Sequence, residues 1–569
     1  MEHILTCTNK TTVYYDYRPD AFEPVHTQRN FVVYAGDVKF NTFEEALADA
    51  GQIGLKKLID EKGFDLIIIN PFTDAWETEG EAEARCMFEK LIEILKDKGE
   101  GYVWYWQRDL ISFVGNRRGA DFISQYCAAA YPAPTIVEGF FLKIMAQSVT
   151  LFYPTKPPCD SGKYVSEASG KLLPAFIVNG SPAVIEGYKK FNETGEGSVV
   201  KFGCTVYESI KEKAIVAITE DESNAIKNAY ELVMSTFRRR NLGDEPLASV
   251  PRPNLGHIGI SLTEHREHLD ANNPDEEYHW YEYVPTDLEP GKKVPLVLVL
   301  HGGGENGQYI MEMTRWAFIA MKEGLICAAM TNHSVEKNSV LLTHLLNTLP
   351  VDAERCYATG FSMGGMSSSG VGLVDNRFAG VAPQDGMIFE VNGYTPEIMP
   401  LFYISGANDS AFPLVTRTEP EGGAAIPRLG NHAAKGEQGP PPPSDAQKAA
   451  AANARRVFRR SQIILNNIAE ALNCYFDKNG VEMRYWSPLQ FAGEKNKYAV
   501  DLQNIFETSD VIGGHKFTIG DLPSKNGEVY VRLGWIDGLG HDVHPNTAEF
   551  IWEFFKQFRR TSDGKIIKG

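Results

Sequence analysis

Arg355-Cys-Tyr-Ala-Thr-Gly360-Phe-Ser362-Met-Gly364-Gly365 runs four β-prone residues, Cys356 to Thr359, straight into a Gly-x-Ser-x-Gly turn. Beyond the turn, Met366-Ser-Ser-Ser-Gly-Val-Gly-Leu-Val374 is small and apolar, as a buried helix requires. Strand, sharp turn and helix in that order make a nucleophile elbow, which holds a serine at the tip of a strained turn. Glycine at 360 and 364 fits mechanically, because a side chain there would collide with the neighbouring strand or helix. Ordinary turns carry the same pattern, so its meaning depends on partners elsewhere in the chain.

The surrounding sequence suits such a core. A chain of 569 residues is too long for one hydrophobic core and implies at least two domains. Hydrophobic residues make up 43% and charged residues 23%, a globular composition. The net charge of −18, with no Lys/Arg cluster to relieve it, argues against nucleic acid or an anionic membrane as partner. Met1-Glu-His-Ile-Leu-Thr lacks the basic start and apolar core of a signal peptide, and the longest apolar runs have only strand length. Eight scattered cysteines without a Cys-x-x-Cys read as reduced thiols, so a cytoplasmic protein is expected.

Strand and helix patterns alternate through both halves, predicting an α/β fold of two tandem domains with mainly parallel sheets and flanking helices. In the first, strands are expected at 14–17, 31–34, 65–69, 110–114 and 173–178. Helices are expected at 42–60, 81–98, from about 119, and at 222–240. The Pro-rich stretch 242–254 reads as a linker between domains 1–241 and 255–569. In the second, strands are expected near 256–262, 278–284, 295–300, 325–329, 380–382, 401–404 and 528–535. Helices are expected at 308–323, 338–348 and 547–559. The segment at about 413–525, with Pro440–Pro443 and a helix from Ser444 or Asp445 to about Asn473, reads as a lid-like insertion.

A reactive serine needs an oxyanion hole, a base, and an acid to orient the base. Pro295-Leu-Val-Leu-Val-Leu300 ends in His301-Gly302-Gly303-Gly304, a glycine loop whose N–H groups reach a carbonyl oxygen unobstructed. Gly303 and Met363 are the expected donors, with His301, Gly302 and Gly304 supporting the loop. For the base, Gly540-His541 lies between the last strand and last helix. His544, before Pro545, reads instead as a surface or capping residue. For the acid, Asp409 follows the strand Leu401-Phe-Tyr-Ile404, with Asp385 as the alternative and Asp537 a distant third. His265 and His268 read as solvated, and no metal constellation or cofactor motif stands out.

Together these residues resemble the α/β-hydrolase esterases grouped with polyhydroxyalkanoate depolymerases and feruloyl esterases. The resemblance covers roughly residues 278–412 and 528–560 and includes Trp552-Glu-Phe-Phe555. It implies Ser362 as nucleophile, Asp409 as acid and His541 as base, acting on a small-molecule carboxylic ester. The missing signal peptide and the long insertion set the chain apart from relatives that attack polymers. Amide or peptide hydrolysis is the runner-up, and a non-catalytic binding or scaffold role the alternative class. Tyr475, Phe476, Tyr485, Trp486 and Phe491 of the insertion read as core aromatics.

The first half also echoes the second. Asp16-Tyr17-Arg-Pro19 to Pro24 matches Glu282-Tyr283-Val-Pro285 to Pro290 at a spacing of 266 residues. The same spacing puts Ala35 on His301, Gly36 on Gly302 and Asp37 on Gly303. Gly115-Asn-Arg117-Arg-Gly119 matches the elbow, with Arg117 in the serine's place. Pro174 to Gly180 matches Pro400 to Gly406, setting Ala183 against Asp409, and Phe237-Arg-Arg matches Phe558-Arg-Arg. The expectation is a degenerate, inactive hydrolase-like domain that packs on the active one, alone or within a homo-oligomer.

Overall fold

The computed structural model describes residues 2–568 except 8–9, 20–29, 81, 85, 88–89, 92–109, 128–130, 138–139, 145, 159–171, 211–213, 242–246, 253, 389–392, 408, 410–466, 483–501 and 510–514. Two ten-stranded sheets dominate. The first comprises β1 (Glu2–Cys7), β2 (Lys10–Tyr17), β3 (Phe31–Ala35), β4 (Asp65–Ile69) and β5 (Ile111–Asn116). It continues with β6 (Ala146–Phe152), β7 (Ala175–Val178), β8 (Thr194–Lys201), β9 (Cys204–Ser209) and β10 (Ile215–Thr219). The second comprises β11 (Ile260–Glu267), β12 (Tyr278–Pro285), β13 (Val294–Leu300), β14 (Ile326–Met330) and β15 (Val351–Phe361). Its later strands are β16 (Gly380–Gln384), β17 (Leu401–Gly406), β18 (Gln503–Ser509), β19 (Lys516–Pro523) and β20 (Val529–Ile536).

The order across the first sheet is β1-β2-β4-β3-β5-β6-β7-β10-β9-β8. Across the second it is β11-β12-β14-β13-β15-β16-β17-β20-β19-β18, the same path. Antiparallel pairs fall at both edges and parallel pairs in the middle of each sheet. The central strands are continuous apolar runs because both faces are covered. Along β13, Val297 and Val299 join one core cluster with Ile551 and Phe555, while Leu296, Leu298 and Leu300 join another with Leu341 and Leu345.

Several boundaries differ from expectation for local reasons. The helix expected at 42–60 is two, Phe43–Gln52 and Leu55–Lys62, divided by left-handed Gly54. The helix at 308–323 is likewise split into α2 (Gly307–Met313) and α3 (Trp316–Glu323) by left-handed Arg315. Residues 222–240 do not form one helix. A short helical segment ends at Met234, and Phe237–Asn241 is a strand paired with Leu247–Pro251, so the expected linker is partly sheet. Phe558–Arg560, its match in the second half, also leaves the expected final helix to pair as a strand with Ile566–Lys568.

The described parts of 413–525 belong to the body of the second unit: β18 and β19 extend its sheet, and Tyr475 and Phe476 are core residues. Residues 410–466 and 483–501, with Tyr485, Trp486, Phe491 and the start of the insertion's helix, lie outside the described residues, as does most of 81–98.

The halves meet around a buried acid. Glu312 of α2 accepts from Arg238 at 2.8 Å and from both Nε and Nη2 of Arg252 at 2.9 and 2.8 Å. The Arg238 guanidinium also lies over the Tyr309 ring, 4.8 Å from its centroid. The two arginines hold the Glu312 carboxyl below its usual range against the opposing effect of burial.

Candidate active site

Ser362 stands where β15 turns into α4 (Met363–Val374), at φ 53° and ψ −111°. A backbone this unusual costs about 1–3 kcal/mol and persists only where packing enforces it. Here the Ser362 N–H donates to Gln384 O at 2.9 Å. A Cβ on Gly364 would meet Leu300 O at 2.2 Å, and one on Gly360 would meet the Gly364 backbone at 2.5 Å. Both glycines are therefore required by close approach of main chain.

Three sequence-predicted side chains converge on this turn. His541, in the loop between β20 and α5 (Thr547–Phe555), places Nε2 2.9 Å from Ser362 Oγ and Nδ1 2.9 Å from Asp409 Oδ2. An ionised carboxylate only accepts, so Nδ1 carries the proton and Nε2 is left to receive the serine's. Asp409 is fully buried, and Phe361 packs against the imidazole with centroids 4.9 Å apart. The ligand atoms of Asp385, Asp409 and His541 lie within 4.8 Å of one another. Both imidazole nitrogens are already engaged, so this cluster serves the hydrogen-bonded chain and offers a cation no free lone pair on His541.

Asp385 lies behind this chain, also buried, with a left-handed φ of 46°. Its Oδ1 accepts from Ser405 Oγ and Gly406 N, both at 2.8 Å. Burial first, and then the neighbouring Asp409 charge, push its carboxyl well above the usual carboxylate range. A hydrogen bond between the two carboxyls acts in the same direction. Of the two candidate acids, then, Asp409 touches the imidazole and Asp385 stands behind Asp409. The Asp537 carbonyl accepts from His515 Nδ1.

On the other side of Ser362 lies the loop after β13. Glu305 Oε2 accepts from Gly302 N at 2.7 Å, and Gly304 takes the left-handed bend at φ 77°. Among the described residues, the Gly303 and Met363 N–H groups donate to nothing. Gly303 is exposed with open space around it, and Met363 begins α4, where helix geometry leaves an N–H unpaired.

His301 is buried beneath the loop, its ring nitrogens 2.6 Å from Gly302 O and 2.5 Å from Thr331 O. Burial lowers its pKa while the two carbonyl contacts raise it, and the ring braces the loop. A second brace was not visible in the sequence. His333, its pKa pushed by burial down to about 3, joins His301 O to Ser367 Oγ of α4 through two 2.9 Å contacts.

His544 is buried, contrary to a surface position. Its Nδ1 and carbonyl accept from Asn546 N and Thr547 N at the start of α5, a capping role. His265, expected to be solvated, stacks on Trp280 with centroids 4.7 Å apart, whereas His268 is exposed.

The first sheet carries the same turn without this chemistry. Arg117, between β5 and α1 (Arg118–Tyr126), has φ 51° and ψ −114°. Its N–H donates to Phe152 O, the counterpart of Gln384. Sheet register corrects one sequence match: Ala35 pairs with Gly115 as Leu300 pairs with Gly360. Gly36 therefore lies on His301 and Asp37 on Gly302, one position earlier than the 266-residue spacing implies. Asp37 Oδ1 accepts from Arg118 N at 3.3 Å and Arg118 Nε at 2.8 Å. It thereby occupies the N–H that corresponds to the free one of Met363.

No family model matches the chain. Its strand order and serine-bearing turn give an α/β-hydrolase-like fold. A curated relative, a bifunctional acetylxylan esterase/xylanase of Neocallimastix patriciarum, is 27% identical over 140 residues, 22% of this chain. The chain spans about a fifth of that relative's length (21%). Among solved structures, an acetyl xylan esterase from Aspergillus awamori matches at 12% identity and a TM-score of 0.29, covering 52% of this chain and 98% of its own. A thermostable esterase matches at 20% identity and a TM-score of 0.23, covering 27% of this chain and 48% of its own. Such low scores add nothing to the sheet order itself. Among the described residues, no helix is long and apolar enough to cross a membrane.

Proposed function

We propose that the chain is a serine hydrolase of carboxylic esters. The observation that carries this is the continuous chain from Ser362 Oγ through His541 to Asp409, with 2.9 Å at each step. His541 Nε2 takes the Ser362 proton as Oγ attacks the ester carbonyl carbon. The Gly303 and Met363 N–H groups hold the oxyanion of the tetrahedral intermediate. Its collapse expels the alcohol, which takes the proton from His541 Nε2, and leaves an acyl-serine. Water, deprotonated by the same nitrogen, then attacks the acyl carbon; the bond to Oγ breaks, Oγ takes the proton back from His541 Nε2, and the acid leaves. Asp409 fixes the tautomer and stabilises the imidazolium.

Small aryl, hydroxycinnamoyl and hydroxyacyl esters are the proposed substrates, and the curated relative's name adds acetyl esters. Matched ester and anilide substrates separate this activity from an amidase's. Ser362→Ala should abolish p-nitrophenyl acetate hydrolysis and fluorophosphonate labelling without changing the unfolding transition. Retained turnover would refute the assignment. The first unit, with Arg117 for serine and Asp37 in its donor loop, is proposed to be the inactive partner that supports α2.

A further inference from the structure

The elbow of the first sheet opens into a cavity of about 470 Å³. Trp76, Phe122 and Tyr153 line it on the apolar side, and Glu79, Arg117 and Lys156 on the polar side. Trp76 and Phe122 pack as one wall, with ring centroids 4.5 Å apart. Most polar groups here are committed: Arg118 holds Asp37, Asp121 accepts from Thr155 and Lys156 N–H, and Tyr153 donates to Glu222.

Three groups differ. Arg117 lies on the Tyr153 ring, 4.8 Å from its centroid, and its guanidinium has no hydrogen bond or ion pair among the described residues. The Lys156 ammonium likewise has no acidic partner there. Glu79 is only 5% exposed, and its Oε1 accepts from Thr73 N and Oγ1, yet its Oε2 is buried with no partner among the described residues.

An unpaired buried carboxylate oxygen is costly and calls for a donor. Two uncommitted cations call for an anion, and guanidinium is the side chain whose fork matches a carboxylate. Aromatic walls with a few fixed polar groups are the usual surroundings of a small organic ligand. We propose that this cavity binds a hydroxylated carboxylate, with a sugar acid as the simplest case. Its carboxylate pairs with Arg117 and Lys156, a hydroxyl donates to the Glu79 carboxylate, and its ring lies along the aromatic wall. The site is separate from Ser362 and stands whether or not the ester-hydrolase assignment holds.

Isothermal titration calorimetry of the full chain with D-glucuronate tests it, with D-glucose as the uncharged comparator. Wild-type protein should bind D-glucuronate saturably, at least about tenfold tighter than D-glucose. Arg117→Gln should weaken D-glucuronate binding about tenfold or more, the scale of one lost charge-assisted contact. Thermal unfolding checks that the variant is folded. Lys156→Gln, at an exposed position, gives a second reading with the same expected direction should Arg117→Gln fail to fold. Absence of saturable D-glucuronate binding, equal affinity for the two sugars, or wild-type affinity in a folded Arg117→Gln would overturn the proposal.

Discussion

Replacing each of the two buried acids by its amide separates their roles. Asp409→Asn puts an N–H₂ or a neutral oxygen opposite His541 Nδ1, removing the charge that fixes the tautomer across the 2.9 Å contact. In triads of this type the loss is about 10³- to 10⁴-fold in kcat, or about 4–5 kcal/mol of barrier. Asp385→Asn is a different perturbation. Its Oδ1 accepts from Ser405 and Gly406, and burial beside the Asp409 charge pushes its carboxyl toward the neutral form. An asparagine amide is neutral and keeps the acceptor, so kcat should fall by less than about tenfold. Steady-state hydrolysis of p-nitrophenyl acetate by both variants decides the matter, and a larger loss for Asp385→Asn would transfer the acid's role to Asp385.

The same residue fixes a pH dependence. Its folded pKa lies above its unfolded value of about 3.9, so the native state binds the extra proton as pH rises past that value. The contribution is whole below about pH 3.9 and is lost as pH climbs toward the folded pKa, with a slope of at most about 1.4 kcal/mol per pH unit. Urea melts should show Asp385→Asn gaining on wild type with rising pH. A difference that stays constant with pH would contradict the protonated state.

Three further substitutions test how the site is held. Gly364→Ala places a methyl 2.2 Å from the Leu300 carbonyl, so it should cost at least about 1–3 kcal/mol in denaturant melts and most of the activity. Gly303→Ala meets no heavy atom within 4 Å and should fold normally, but its methyl enters the open space beside the proposed oxyanion donor, so turnover should fall while the denaturant melt stays at wild type. Glu312→Gln leaves Arg238, which is fully buried, and Arg252 without their shared anion. A loss of about 3–5 kcal/mol in equilibrium unfolding is expected, and a loss under 1 kcal/mol would show that the contact between halves matters little.

The site residues were legible where chemistry coincides with chain punctuation. Ser362 sits between required glycines, and the glycine loop and His541 each follow a buried strand. Asp409 follows one too, but so does Asp385, and only burial beside a second carboxylate distinguishes them. That distinction depends on packing between residues 24 positions apart in sequence. The Glu312 cluster and the His333 brace were illegible for the same reason, as ordinary polar residues brought together by the sheets. Strand β18 was hidden because its residues are almost all exposed, so no apolar alternation marks it. The one-residue slip at Asp37 arose because a fixed spacing holds along β2 and β12, whereas the connection to β3 is one residue longer than its counterpart.

The paired elbows bear on what a strained turn signifies. Arg117 and Ser362 differ by 2° in φ and 3° in ψ, although one of the two is an arginine. In each, the glycine two residues on lies against the carbonyls that end the adjacent strand, Ala35 and Leu300. In each, the turn's N–H is held by the next strand's carbonyl, Phe152 or Gln384. Packing between strand and helix therefore suffices to impose the conformation. Catalysis is not needed to explain it, and the bare turn is weak evidence of an enzyme. What differs between the copies is chemical. The Arg118 N–H is filled by Asp37, while that of Met363 is uncommitted, and among the described residues only the second turn has an imidazole backed by a buried carboxylate. Those differences, rather than the elbow, support the chemistry proposed at Ser362 and the binding proposed at Arg117.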